Sequence, residues 1–220
     1  MKKLLYLGLI VLFASCVKQP APEPVGEIKV RFVNALETSV AQDMFIRGAK
    51  IPNSVAVLYG QASPYAVTTS GDNAFAFANM GTTEGVANAG VAGKFEIGDK
   101  LSIYYSKKLL SQGGGLIAAL KYDDPVTVPD KAKVSFIHLN HNLNNVMNFL
   151  TEDGEVLHSM GFGLTSKYFA LAPGTKIKIN AATVTEPLLI DPLLEAGKNY
   201  TIWVDGPSET VLVAHVAPQD

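Results

Sequence analysis

The segment Lys29-Val30-Arg31-Phe32-Val33-Asn34 recurs 104 residues later as Lys133-Val134-Ser135-Phe136-Ile137-His138. Gly98-Asp99-Lys100-Leu101-Ser102-Ile103-Tyr104-Tyr105 recurs 99 residues later as Gly197-Lys198-Asn199-Tyr200-Thr201-Ile202-Trp203-Val204, and between these Gly60 to Tyr65 resembles Gly163 to Tyr168. Matches that keep their order along a chain point to two copies of one structural unit, here of roughly 90 residues each. The 220-residue chain is therefore read as two similar domains in series, residues 27–121 and 132–217. The Asp- and Pro-containing stretch 122–131 is the linker between them.

The periodicity inside each unit is that of strands. Lys29 to Val33, Ser54 to Leu58, Ala74 to Ala78, Leu101 to Tyr105 and Leu116 to Lys121 are short, alternate in polarity and are rich in β-branched or aromatic residues. In the second unit the same holds for Val134 to Leu139, Val146 to Leu150, Glu155 to Met160, Lys176 to Ile179, Tyr200 to Val204 and Thr210 to His215. Lys176-Ile177-Lys178-Ile179 shows the logic, with the isoleucines on one face and the lysines on the other. Glu186 to Glu195 is broken by Pro187 and Pro192 and reads as a loop or one short turn, Gly81 to Gly93 reads as an insertion, and Gly113-Gly114-Gly115 reads as a hairpin turn. Units of this size with six or seven strands have an economical solution, two antiparallel sheets face to face. The expected fold class is all-β: two tandem immunoglobulin-like antiparallel β-sandwiches.

The first fifteen residues follow another logic. Lys2 and Lys3 precede an apolar run from Leu4 to Phe13, and Ala14-Ser15-Cys16 follows. That order is a signal peptide's, and the run falls well short of the roughly 20 residues of a spanning helix. Leu12-Phe13-Ala14-Ser15-Cys16 resembles a bacterial lipobox, with Phe13 where an aliphatic residue is more usual. The expectation is cleavage of residues 1–15 and lipidation of Cys16, followed by an extended tether over residues 16–26 with Pro20, Pro22 and Pro24. The rival reading is an ordinary secretory signal with an incidental cysteine. Membrane lipid is thus one expected partner, and the cell envelope, at its outer membrane, the expected location.

Cys16 is the only cysteine, so no disulfide forms within the chain and no thiol is left for chemistry once it is acylated. Without Lys2 and Lys3 the formal charge moves from −2 to −4, mildly acidic and without a Lys/Arg cluster, which excludes a nucleic-acid surface.

The framework motifs carry a family resemblance. Val30-Arg31-Phe32-Val33-Asn34-Ala35, Val57-Leu58-Tyr59-Gly60-Gln61-Ala62-Ser63-Pro64-Tyr65, Gly163-Leu164-Thr165-Ser166-Lys167-Tyr168 and Leu171-Ala172-Pro173-Gly174-Thr175 resemble the repeats of the bacterial domain of unknown function family numbered 4397 (DUF4397), over about residues 27–217. The resemblance implies an exported protein, often a lipoprotein of the Bacteroidetes type, with immunoglobulin-like repeats. It implies no catalytic residue. The first unit departs from the pattern at Thr69 to Asn73, which replaces the usual Pro-Gly turn.

Reactive constellations are scarce. No Gly-x-Ser-x-Gly elbow occurs, the triple glycine lacks the Gly-Lys-Ser/Thr end of a phosphate loop, and the acidic residues fall into no motif. His138 and His141, with two residues between them at a strand end, are the candidate metal ligands, though a zinc site needs three or four protein ligands and sequence names no others. No cofactor is expected. Tyr59, Tyr65, Tyr168, Phe169 and Trp203 are the candidate contacts for a glycan or protein, set against the alternative that repeated aromatics fill a core or an interdomain surface. The expected role is a non-catalytic binding or adhesion module. The alternatives are a structural envelope component and, last, a hydrolase or metal-dependent enzyme.

Overall fold

The computed structural model describes residues 23–82 and 87–219. The signal segment and Cys16 lie outside the described residues. Strands dominate: β1 (Glu27–Asn34), β2 (Gln42–Ile46), β3 (Ala49–Lys50), β4 (Ala66–Thr69), β5 (Gly71–Asn79), β6 (Ala89–Phe95), β7 (Lys100–Lys107) and β8 (Leu116–Tyr122) make the first unit. The second comprises β9 (Ala132–His138), β10 (Met147–Thr151), β11 (Val156–Met160), β12 (Phe169–Leu171), β13 (Ile177–Ala181), β14 (Leu188–Ile190), β15 (Asn199–Asp205) and β16 (Val213–Pro218). The two units share one topology. An inner sheet is ordered β4-β1-β7-β8 in the first and β12-β9-β15-β16 in the second, and the outer sheets are β3-β2-β5-β6 and β11-β10-β13-β14. The fold is all-β and sandwich-like.

Each sandwich closes on its own apolar core. Ile28, Val30 and Phe32 alternate along β1 to meet Phe75 and Phe77 of β5 and Leu101 and Ile103 of β7. Phe32 and Phe77 pack edge to face at 5.3 Å. In the second unit Val134 and Phe136 meet Phe149, Ile177, Ile179 and Ile202, with Phe136 stacked on Phe149 at 4.5 Å. Fully burying one such ring is worth roughly 2–3 kcal/mol, so the apolar residues of alternate positions decide each sandwich.

The remaining face of each inner sheet is also buried. Val33, Ala35 and Tyr104 of the first unit pack on Ile137, Leu139, Trp203 and Ala217 of the second, and Tyr104 meets Trp203 edge on at 5.9 Å. The molecule is thus four sheets deep. All seven residues of β15 and six consecutive residues of β7 are buried for this reason, since a strand covered on both faces has no solvent side. Contacts at both ends of the seam, from Tyr59 to Asp205 and from Lys133 to Asp124, show the two units standing side by side with β1 and β9 rising in the same direction.

Several local expectations are corrected. Each inner sheet contains one parallel pair, β1 with β7 and β9 with β15, inside otherwise antiparallel pairing. Ser54 to Leu58 forms no strand. Only Val57 bridges to Gln42, and Asn53, in the left-handed region at φ 56°, turns the chain away. The last strand begins at Val213 rather than Thr210, because residues 207–210 bend before it. The presumed insertion ends in β6, an edge strand of small residues paired along β5; glycine and alanine carry little strand signal of their own. Leu188–Ile190 fits a three-residue strand between Pro187 and Pro192. The β7–β8 hairpin has a longer connection than a tight turn, a 3-10 turn at Leu110–Gln112 followed by Gly113 and Gly114 at φ 91° and 62°. Beta-branched residues would be strained there.

Candidate functional site: the seam between the sandwiches

The seam holds the most polar chemistry buried anywhere among the described residues. At its lower end, Arg31 points from β1, Ser102 from β7 and Lys121 from β8, because these positions alternate with the core residues of the same strands. They converge on Asp123, just past β8. The Asp123 carboxylate accepts from Lys121 Nζ at 2.8 Å, Tyr65 Oη at 2.8 Å, Gln219 Nε2 at 2.8 Å and the Ser102 hydroxyl. Arg31 donates through Nε to Ser102 at 2.7 Å and through Nη1 to the Pro218 carbonyl at 2.6 Å, and its Nε lies 3.9 Å from Asp123. Gln219 also donates to Thr201 Oγ1 at 2.7 Å, and Lys121 donates to Tyr168 Oη at 2.6 Å. Two cations and one carboxylate, all nearly fully buried, thus bind the two units to each other.

Burial alone would lower the Lys121 pKa, but the Tyr104, Asp123 and Tyr168 groups around it outweigh that and raise it above the ordinary lysine value. Burial raises Tyr65, the neighbouring Arg31 opposes the rise, and Asp123 adds to it. Lys121 is therefore a permanent cation and Tyr65 a permanent donor across the accessible pH range.

The upper end carries a second group. Tyr59 Oη donates to Asp205 at 2.7 Å, and His215 Nε2 lies 3.2 Å from the same oxygen. The His215 ring stacks on Trp203 at 4.8 Å, with the Tyr59 ring on its edge at 5.2 Å. Gly60, at φ 75°, lies against this ring; a Cβ there would sit 2.9 Å from His215. Nearby, His141 faces Glu37 at 3.8 Å. Between the two polar groups, on the side where the β4 edge meets β16, a groove of about 270 Å³ opens, lined by Arg31, Gly60, Ala62, Ser63, Trp203 and Val216 to Pro218.

The residues of β1 through β9 and the beginning of β10 decide the family: the sequence model described as Domain of unknown function (DUF4397) matches residues 28–148. The chain belongs to this family. The match stops short of residue 217, to which the resemblance of the motifs extends. No curated protein matches the chain. Among solved structures it is similar to the family 26 carbohydrate-binding module CBMbc of Eubacterium rectale Amy13K, solved in complex with maltoheptaose, at 9% identity over 86% of this chain and 96% of that one, with a TM-score of 0.26. It is also similar to the Bacillus anthracis TIE protein at 12% identity, over 82% of this chain and 34% of that one, with a TM-score of 0.24.

Several candidate contact residues of this DUF4397 chain occupy the seam. Trp203 is 1% exposed and is corrected from a surface contact to a seam residue that shows only its edge to the groove. The hydroxyls of Tyr59 and Tyr168 are spent on Asp205 and on the Lys121–Gln219 group, which makes them interdomain braces, and that of Tyr65 is spent on Asp123 beside its own unit. Phe169 is half-buried against the second core, near Phe136. His138 and His141 do not converge. His138 is buried, accepts the Asn140 N–H on Nδ1 at 3.3 Å and lies edge on to Phe162, while His141 turns to Glu37. Among the described residues no group of three His, Cys, Asp or Glu side chains is placed to hold a metal ion.

Sequence reasoning missed Arg31, Lys121, Asp123 and Gln219. Arg31 and Lys121 sit at alternate strand positions, where a polar residue is expected to face water, and only a second sheet laid over that face turns them inward.

Proposed function

We propose that this DUF4397 protein is an exported lipoprotein of the cell envelope, held at the outer membrane by lipid on Cys16, whose folded body is a non-catalytic module that binds a glycan or an envelope protein. The observation that carries this reading is the polarity of the body. The chain enters at the lower end, where Gly26 pairs with Ser70 and Glu23 lies against Lys94. The loops at the opposite end belong to both units: Gly60 bonds Asn34 within the first, Asn142 reaches Gly206 within the second, and the Leu110 amide donates to the His141 carbonyl across them. They expose Val40, Leu58, Met80 and Leu110 from the first unit and Val146, Leu164 and Val211 from the second. Apolar side chains shown to solvent on loops, at the end furthest from a tether, suit capture of a partner.

Two measurements test this. Cys16→Ser is expected to abolish incorporation of labelled fatty acid and release the protein from the membrane fraction; equal labelling of the variant would sink the anchor. The soluble body, immobilised by its N-terminal end, is expected to capture an envelope glycan or protein saturably on a glycan array or in a pull-down. Self-association alone would instead mark a structural envelope component.

A further inference from the structure

At one equivalent position the two sandwiches carry side chains of very different size, and the first has an apolar pocket where the second has a ring. Ala66 answers Phe169, because Gly60 to Tyr65 resembles Gly163 to Tyr168. The strand register agrees: Ala66 of β4 stands opposite Val30 of β1, and Phe169 of β12 opposite Val134 of β9. In the second unit the Phe169 ring closes the side of the sandwich between the edge strands β11 and β12, 5.9 Å from the Phe136 ring and 6.0 Å from that of His158. The first unit has only a methyl group there. Its outer-sheet edge is shorter too, since β3 has two residues where β11 has five. A pocket of about 260 Å³ lies at this place, with Met44, Ile51, Val55, Pro64 and Ala66 in its walls.

The pocket calls for carbon rather than for a polar group. The Ser54 hydroxyl donates to the Ile51 carbonyl at 2.8 Å, and that of Tyr65 donates to Asp123. The Ser63 hydroxyl donates to the Pro64 carbonyl at 2.8 Å and accepts from the Phe32 amide at 3.0 Å. These lining groups are thus satisfied within the chain, and what the walls offer an occupant is mainly apolar surface. An apolar cavity of about 150 Å³ holds a benzene ring, so about 260 Å³ admits a phenyl ring with the first carbons that bear it. The pocket lies beside the last strands of both sheets, β3 and β4, where an extended backbone can run along an open edge and set alternate side chains toward the sandwich. We propose that the pocket docks a phenylalanine side chain from an extended segment of a partner polypeptide, which supplies from outside the ring that the second sandwich carries in its own chain. This site is separate from the loops at the distal end and holds whether or not they capture a partner.

Met44 lines the pocket and Met147 is fully buried in the second core, so the two methionines serve as probe and control. In the mature chain carrying Cys16→Ser and ¹³C-methyl methionine, a ring seated in the pocket shifts the Met44 signal by its ring current. Titration with N-acetyl-L-phenylalaninamide is expected to move that signal saturably and to leave Met147 in place. N-acetyl-L-alaninamide and maltose at the same concentrations are expected to move neither. Ala66→Phe gives the first unit the ring of the second and should abolish the response. A second variant does not depend on how β4 accepts that ring: Val55→Asp, at a position 84% exposed, sets a charge in the wall and should weaken the response about fourfold or more, the worth of one methylene contact. A stationary Met44 signal, equal movement with the alaninamide or maltose, a response to toluene but none to the phenylalaninamide, or an undiminished response in either folded variant would each overturn the proposal.

Discussion

Asp123→Asn is expected to destabilise the protein by about 3–5 kcal/mol, the range for removing one partner of a buried ion pair. The Asp123 side chain is fully buried and is paired with both Arg31 and Lys121, themselves nearly fully buried. Asparagine keeps the shape and can still accept from Tyr65 or Gln219, but it takes from two buried positive charges the carboxylate they are paired with. The cost comes from stranding them more than from losing the attraction, which predicts a particular pattern in double variants. Lys121→Met alone should be costly, because Tyr168 and Asp123 lose a donor, whereas Asp123→Asn with Lys121→Met should cost clearly less than the sum of the two. For a chain of this size the single change should lower Tm by roughly 10 °C or more. Urea and thermal unfolding of the three variants measure this directly. Additive losses would mean that the two groups act separately and that the seam is not one coupled network.

His138 is expected to make the protein acid-labile below neutral pH. The residue is fully buried at the upper end of β9, with Nδ1 accepting from the Asn140 amide and Nε2 without a partner. Burial lowers its pKa from 6.5 to about 4, the backbone near Asn145 opposing the shift only in part. The folded state then holds fewer protons than the unfolded state between these values. Stability from this residue is complete above pH 6.5 and is lost as the pH falls from 6.5 toward 4, by about 3 kcal/mol over the window. Burial lowers His141 as well, against the pull of Glu37, so it acts in the same direction. Urea midpoints of the wild type should therefore fall steeply between pH 7 and pH 4.5. In His138→Phe, which cannot be charged, the midpoint at pH 7 should be lower for want of the Asn140 acceptor and the slope with pH should be flatter. A variant with the wild-type slope would transfer the effect to other groups.

The opposite fates of alternate residues in β1 show what the sequence by itself determined. Ile28, Val30 and Phe32 face the core of their sandwich, as the two-residue period requires, and the recurrence of this strand near residue 133 is matched by a second sandwich of the same strand order. Strand positions and the cores they close were legible because burying one face of a sheet constrains every second residue locally. Among the strands that escaped, β3, β4, β12 and β14 span only two to four residues, β2 begins with polar residues and β6 is mostly alanine and glycine, and they exist because a neighbouring strand offers them hydrogen bonds.

The other face was decided by the tertiary structure alone. Arg31, Val33, Ser102, Tyr104, Lys121 and Trp203 carry the polarity mix of a solvent face or a binding face, and nothing in their spacing says that another sheet covers them. Their burial depends on residues such as Tyr168, Thr201 and Gln219, which lie about 50 to 190 positions away along the chain. Periodicity records which face of a strand a side chain takes, because that follows from the backbone. It does not record what lies against that face, because the partner sheet is brought there by the summed packing of two complete domains. The aromatic residues that looked free to bind a ligand were for that reason mostly interdomain braces, and the groove came into being only where the two inner sheets meet.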